Sequence, residues 1–411
     1  MPIRSSGQIS FSEIQTEFTG TNPISLSEYY RLGAYVPSLP VNSNLPTAGA
    51  IKLSNFYGTS QANVTFNGTV TKGTRADGRN VWKFTESASF TIYKPGWVDV
   101  LLVAGGGRGS WGYGYAGDGG GAGGLIYLQN TYLDPGTYTM VVGGAQSDTV
   151  WTRPDGYSWT AINGGDVGES GGSAGAYGAQ ALQPTSTPGQ FGFGNLGGVG
   201  SYPSGTSWLS GGGGGGAGGA GANGTGQYAY EQFYSYYPDG SDGDAFGRGG
   251  ADCVPAGVDE FGAEIFFCTR ILTNPNGSGY QFTNSGGAGG IGKQYDIDID
   301  NVPKYYAGGG GGGGGFNDNA SSRYGFPFAY ALFGAGGAGG LGGGGRGQTR
   351  GDGYYNGGIS VENGQNLTGG GGGGGGPGSA SEVRGYDGLY TQGGSGIAII
   401  IGDPNVLHIV N

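Results

Sequence analysis

Four nearly pure glycine runs constrain this chain more than any other feature: GGGGGGAGGAGA from Gly211, GGGGGGGG from Gly308, GAGGAGGLGGGGRG from Gly334 and GGGGGGGG from Gly369. A run without side chains cannot contribute to an apolar core, so whatever order it has must come from its backbone groups. Collagen is excluded because the glycines do not recur at every third position and the 18 prolines are near background. General disorder is disfavoured by an aromatic content of 13%.

The remaining structured option is a polyproline-II-like helix, with three residues per turn, a rise of about 3.1 Å and no internal hydrogen bonds. Where each facing position is glycine, such helices can approach closely and exchange N–H to C=O bonds, aided by weak Cα–H contacts. A run of eight residues then spans about 25 Å, and runs of similar length suit side-by-side stacking. Ordering glycine costs about 1–2 kcal/mol per residue, so apolar boundary residues such as Trp208, Phe316, Phe333 and Leu341 are expected to cover the outside.

Residues 1–60 read differently. Ser10 followed by Glu13 is a capping box, and Phe11, Ile14 and Phe18 recur at helical spacing, which predicts a short helix. A second start lies in NPISLSEYYR, where Ser25 or Ser27 precedes Tyr29 and Tyr30, with Ile24 and Leu26 adding to the apolar set. Two short helices with one apolar face each are not expected to make a core alone. The segment therefore reads as a docking module whose candidate contacts are Phe11, Ile14, Phe18, Ile24, Leu26, Tyr29 and Tyr30.

Between residues 61 and 142 the pattern is that of strands: VTFNGTV, VWKFT, SFTIY and WVDVLLVAGG, an antiparallel sheet or sandwich. GLIYLQN and GTYTMVVGG flank LDPG and read as a hairpin. The apolar run SGIAIIIG is expected to complete this domain over 395–403 by inserting beside VDVLLVAGG. The expected fold is thus mainly β, with a large polyglycine II bundle inserted over 143–394 and a C-terminal tail at 404–411.

Several function classes are disfavoured by composition. A net charge of -11 repels a phosphate backbone. No apolar stretch has the length of a membrane span or a secretory signal, which leads to the expectation of a protein made in a cytoplasm. His408 is the sole histidine, which removes His-based triads, and GxGxxG strings arise by chance in so glycine-rich a chain. No cofactor is expected.

Recognition is expected on loops between runs. In QYAYEQFYSYYPDGSDGD, the residues Tyr228, Tyr230, Phe233, Tyr234, Tyr236 and Tyr237 crowd beside Asp239, Asp242 and Asp244. Rings that stack on sugar faces and carboxylates that accept hydroxyl protons suit a glycan, while packing of the tyrosines over the bundle is the equal alternative. Asp296, Asp298 and Asp300 would share one side if extended, a weak calcium candidate against an acidic strand edge. Cys253 and Cys268 are close enough in sequence for a local disulfide, or are two unpaired thiols.

Two resemblances follow from these residues. ISFSEIQTEFTGTNPISLSEYY with LPTAGAIKLSNFYG resembles an N-terminal module of virion and tail proteins of marine and cyanobacterial phages. WVDVLLVAGGG, GGLIYLQNTYLDPGTYTMVVGGA and GGSGIAIII resemble the glycine-rich domain of phage tail and fibre proteins. The runs are similar to those of tail-fibre tip adhesins, although this chain carries its own N-terminal segment and a flanking β-domain.

The resemblance implies a non-enzymatic virion component, a tail-fibre or tail-tip adhesin. It would be attached to other tail proteins through residues 1–60 and bind a host glycan or outer-membrane protein, as a homo-oligomer of which a trimer is the family's guide. A structural baseplate, tail or capsid-decoration role is the main alternative, and a polysaccharide depolymerase a lesser one.

Overall fold

The computed structural model describes residues 3–20, 22–61, 64–92, 95–110, 116–178, 180–183, 186–187, 189–201, 210–225, 253–258, 264–268, 272–273, 279–280, 285–315, 335–349, 361–375, 391–404 and 406–407. The chain is mainly β, and its paired strands are antiparallel.

Helix α1 (Phe11–Phe18) starts where expected: Ser10 Oγ accepts the Glu13 N–H at 3.2 Å, and Glu13 Oε2 accepts the Ser10 N–H at 2.8 Å. The second start yields a single 3₁₀ turn, Leu26–Tyr29. The two elements do not make a core alone but share one with the rest of the segment. Ile14, Phe18 and Tyr29 are fully buried with Ile3, Ile9, Val36, Leu45 and Phe56, because residues 30–58 fold back to supply the missing face. Glu17 accepts from Ser60 Oγ at 2.7 Å, and Gln61 Nε2 donates to the carbonyls of Phe18 and Tyr35, each at 3.1 Å, closing the segment on itself.

The first nine strands are β1 (Val64–Asn67), β2 (Thr71–Thr74), β3 (Asn80–Phe84), β4 (Ala88–Ile92), β5 (Gly96–Val103), β6 (Leu125–Leu133), β7 (Gly136–Val141), β8 (Thr149–Thr152) and β9 (Ser158–Ala161). After them come β10 (Ser186–Thr187), β11 (Gln190–Phe193), β12 (Cys253–Val258), β13 (Glu264–Cys268), β14 (Leu272–Thr273), β15 (Gly279–Tyr280), β16 (Lys293–Tyr295), β17 (Lys304–Tyr306) and β18 (Ile397–Gly402). One sheet has the order β1-β4-β7-β8-β9, the other β10-β11-β6-β5-β18-β3-β2.

The two sheets pack face to face. The five-stranded sheet alternates, with Phe90, Ile92, Tyr138, Met140, Trp151 and Trp159 inward and Thr or Ser mostly outward. Phe90, Tyr138, Trp151 and Trp159 stack in series across four strands at centroid distances of 5.2, 5.7 and 4.7 Å. Strands β8, β9, β10 and β11 lie beyond the boundary expected at residue 142; the two sheets draw on the chain as far as Phe193.

Strands β5 and β18 are apolar at consecutive positions because both faces of their sheet are covered. Val100 and Leu102 face the sandwich interior, whereas Leu101, Val103, Ile397 and Ile399 face Ala122, Ala217, Tyr306 and Ala307 of the glycine-rich region. Ile400 pairs with Val100 and with Trp82, so the C-terminal run lies between β5 and β3.

LDPG does not make a hairpin. Strand β6 belongs to the seven-stranded sheet and β7 to the other, so the turn carries the chain across the sandwich. Tyr138 Oη donates to the Asp134 carbonyl at 3.0 Å and holds that crossing, and Gly136 takes φ +146, where a side chain would be strained and would meet Pro154.

The glycine runs have no conventional secondary structure, yet their N–H groups follow a three-residue period. Gly117, Gly120 and Gly123 donate to Gly375, Gly372 and Gly369; Gly119 and Ala122 to Gly212 and Gly215; Gly121 and Gly124 to Gly165 and Ile162. Gly308, Gly311 and Gly314 donate to Gly342, Gly345 and Gln348, while Gly310 and Gly313 donate to Gly120 and Gly117. Each run is therefore hydrogen-bonded to several neighbours around its circumference. A Cβ on Gly310 would overlap the Gly372 carbonyl, and one on Gly371 the Gly120 carbonyl. Close approach of backbones, not unusual φ, is what requires glycine here.

Candidate functional site

Run direction decides where the connections lie. Residues 104–110, 195–201, 219–225, 307–315, 344–349 and 369–375 lead away from the sandwich, and 116–124, 210–217, 285–292, 335–341, 361–365 and 391–396 return. The register requires this: Gly120 to Gly372 and Gly123 to Gly369 run antiparallel, whereas Gly119 to Gly212 and Ala122 to Gly215 run parallel. At the near end Ala217, Tyr306 and Leu367 pack on the seven-stranded sheet. The six connecting segments 111–115, 202–209, 226–284, 316–334, 350–360 and 376–390 thus all depart from the end remote from the sandwich.

The departure points are joined to each other. Ser201 and Ser210 form a bridge, Thr225 N donates to Ser285 O at 2.9 Å, Gly375 N to Ser110 O at 2.9 Å, and Gly336 N to Thr349 Oγ1 at 2.8 Å. Asp118 lies among them, buried, with Oδ1 accepting the Gly212 N–H at 2.7 Å. Burial pushes its carboxyl up to about 6, against the opposing effect of that hydrogen bond.

The residues singled out from sequence fall in four groups. Tyr228, Tyr230, Phe233, Tyr234, Tyr236, Tyr237, Asp239 and Asp242 lie outside the described residues, within a segment that starts at this end. Cys253 and Cys268 are direct register partners in the β12–β13 pair. Of the docking set, Ile14, Phe18 and Tyr29 are consumed by the segment's own core, Ile24, Leu26 and Tyr30 are half-buried, and Phe11 is exposed.

Asp296, Asp298 and Asp300 do not form an acidic ladder, because the chain turns at residues 298–301. Asp298 is buried and accepts from Lys83 Nζ and Lys304 Nζ, both at 2.8 Å; Asp296 pairs with Arg75 at 2.8 Å and Asp300 with Lys304. Among the described residues no group of three or more His, Cys, Asp or Glu could hold a metal ion. With these carboxylates already neutralised, the geometry favours a structural strap over the calcium reading. The β16–β17 hairpin crosses the sheet, with Lys293 over the Phe193 ring, Tyr295 against Tyr127 and Ile299 against Gly73. TVWT and SWTA alternate, which is the signal that could have found β8 and β9; the strap gives no sequence signal, since its ion-pair partners Arg75 and Lys83 are over 200 residues distant.

Fold and geometry together define a β-sandwich with a hydrogen-bonded glycine insertion from which six connecting segments depart at the end remote from the sandwich. No family model matches the chain, and comparison with curated proteins and with solved structures found no match either.

Proposed function

We propose that the protein is a virion attachment component in which a polyglycine II bundle holds recognition segments at its far end and residues 1–60 dock to a neighbouring tail protein. The observation that carries this reading is the common departure of the six connecting segments from one end of the bundle. A rigid scaffold that gathers many segments at one end is how loop-based recognition surfaces are built. The segments are rich in Tyr, Ser, Gly, Asn and Asp, the composition that gives large, low-entropy contact area with adaptable hydrogen bonding. Phe11, with Leu32 and Leu53, is the apolar surface left free on the N-terminal segment for docking.

The test is adsorption of particles carrying this protein with residues 376–390, or separately 228–244, replaced by a short Gly-Ser linker. Loss of adsorption with normal assembly supports host recognition. Unchanged adsorption by both variants would make the bundle a spacer or decoration, and release of reducing sugars from host envelope by the purified protein would make it a depolymerase.

A further inference from the structure

The insertion covers the second face of the seven-stranded sheet only in part. Past Leu101, the same face of β5 continues toward the end remote from the bundle with Asp99 and Trp97 by two-residue alternation; on β6 the extra residue between Leu128 and Thr131 brings Tyr132 to that face, and Arg79 enters it from just before β3. Trp97 and Tyr132 are directly opposed across β5 and β6, their ring centroids 5.0 Å apart at 60°. They are 59% and 39% exposed. The two opposed rings form one contiguous apolar patch on the open sheet face rather than scattered single residues.

The polar groups beside the rings are held in place. The β5–β6 register slips between Val98 and Val100, where Asp99 stands opposite Gln129 and Asn130, the extra residue being on β6. Asp99 Oδ1 accepts the N–H of Asn130, which adopts φ +47, and its Oδ2 accepts from Tyr127 Oη at 3.3 Å. Arg79 Nη1 lies 3.7 Å from Asp99 Oδ2, and Arg79 Nη2 donates to Asp77 Oδ2 at 2.8 Å. Bulges and left-handed non-glycine residues concentrate at sites that aim side chains.

We propose that this patch binds a neutral hexopyranose chain, with a sugar ring stacked on Trp97 and its hydroxyls bonded to Arg79, Asp77 and Asp99. One guanidinium faces two carboxylates, so a uronate or sulfated chain is repelled while sugar hydroxyls find both donors and acceptors. Two rings and a few polar groups fall well short of the roughly 800 Å² per partner of a stable protein interface, which disfavours a second protein. The site lies at the sandwich end of the sheet, opposite the proposed receptor end, and stands independently of it.

Titration calorimetry of the full chain with gluco-, galacto- and manno-configured hexasaccharides and with a uronate hexamer tests this. Saturable binding of at least one neutral oligomer is expected, weakened at least ten-fold by Trp97→Ala and several-fold by Arg79→Gln, and unchanged when residues 376–390 are replaced. Thermal midpoints close to the parent would show that both variants fold. Absence of neutral-oligomer binding, equal binding by folded Trp97→Ala, or tighter binding of the uronate would overturn the proposal.

Discussion

Lys83 Nζ lies 2.8 Å from Asp298 Oδ2, joining strand β3 to a hairpin 215 residues later in the chain. Lys304 reaches the same oxygen, also at 2.8 Å, and Arg75 Nη1 donates to the Asp298 carbonyl at 2.7 Å. One buried carboxylate thereby ties the insertion to the sheet over which it lies.

Asp298→Ala removes the shared acceptor and leaves two ammonium groups facing each other. Both are partly exposed, so the cost falls below that of a fully buried pair, at about 2 kcal/mol. A lowered urea midpoint and faster proteolysis within residues 293–306 are expected; an unchanged midpoint would mean the strap adds nothing to stability.

Two aspartates make the pH dependence two-sided. Burial alone would raise the Asp298 carboxyl, but the hydrogen bonds from Lys304 and Lys83 outweigh it and hold it below its ordinary value. Its contribution is present above pH 4 and is lost as pH falls through the lowered value. Asp118 is the reverse: with a folded value of about 6 against 3.8, its neutral form is favoured on folding. Stability from this group declines as pH rises from about 4 to 6. Asp118→Asn keeps an oxygen acceptor for Gly212 without the charge, and should stabilise the protein at pH 7 by up to about 3 kcal/mol with little effect at pH 4. Thermal scans of both proteins at the two pH values check this.

Alanine substitutions separate packing glycines from incidental ones. Gly310→Ala places a methyl against the Gly372 carbonyl in the interior of the runs, and should cost several kcal/mol, as overpacking of a rigid interior does. At Gly144 a Cβ meets nothing within 4 Å and φ is not in the left-handed region, so Gly144→Ala should be neutral or stabilising by about 0.5 kcal/mol. Calorimetric unfolding of the pair distinguishes them.

Phe18 is fully buried in the N-terminal cluster, 6.3 Å from both Tyr29 and Phe56 by ring centroid. Phe18→Ala should cost about 3–5 kcal/mol and make residues 3–61 protease-sensitive while the sandwich stays resistant. Equal loss of resistance in both would show that they unfold as one unit.

Cys253 and Cys268 are register partners in the β12–β13 pair. Under an air- or disulfide-containing buffer they are expected to join, closing a loop whose cross-link is worth about 3 kcal/mol. Intact mass should fall by the two hydrogens lost, and recovery of two alkylatable thiols should require reductant.

Residue patterns determined a good deal about this protein. Ser10 and Glu13 marked α1 because a capping box is local, and the apolar run 397–401 announced a strand buried on both faces. The glycine runs announced backbone-to-backbone packing, since a chain without side chains has no other partner. Tertiary structure decided the rest. LDPG could not reveal that β6 and β7 lie in different sheets, because a turn has the same residues whether its strands pair or part. Asp296, Asp298 and Asp300 read as an acidic strand edge or a weak calcium candidate; that they are ion-paired was decided by Arg75 and Lys83, brought from a distant segment, together with Lys304 just beyond the turn. Glycine has no side chain to encode a neighbour, so which run bonds to which is chosen by the sheet that anchors their ends and by the lengths that return the chain to it.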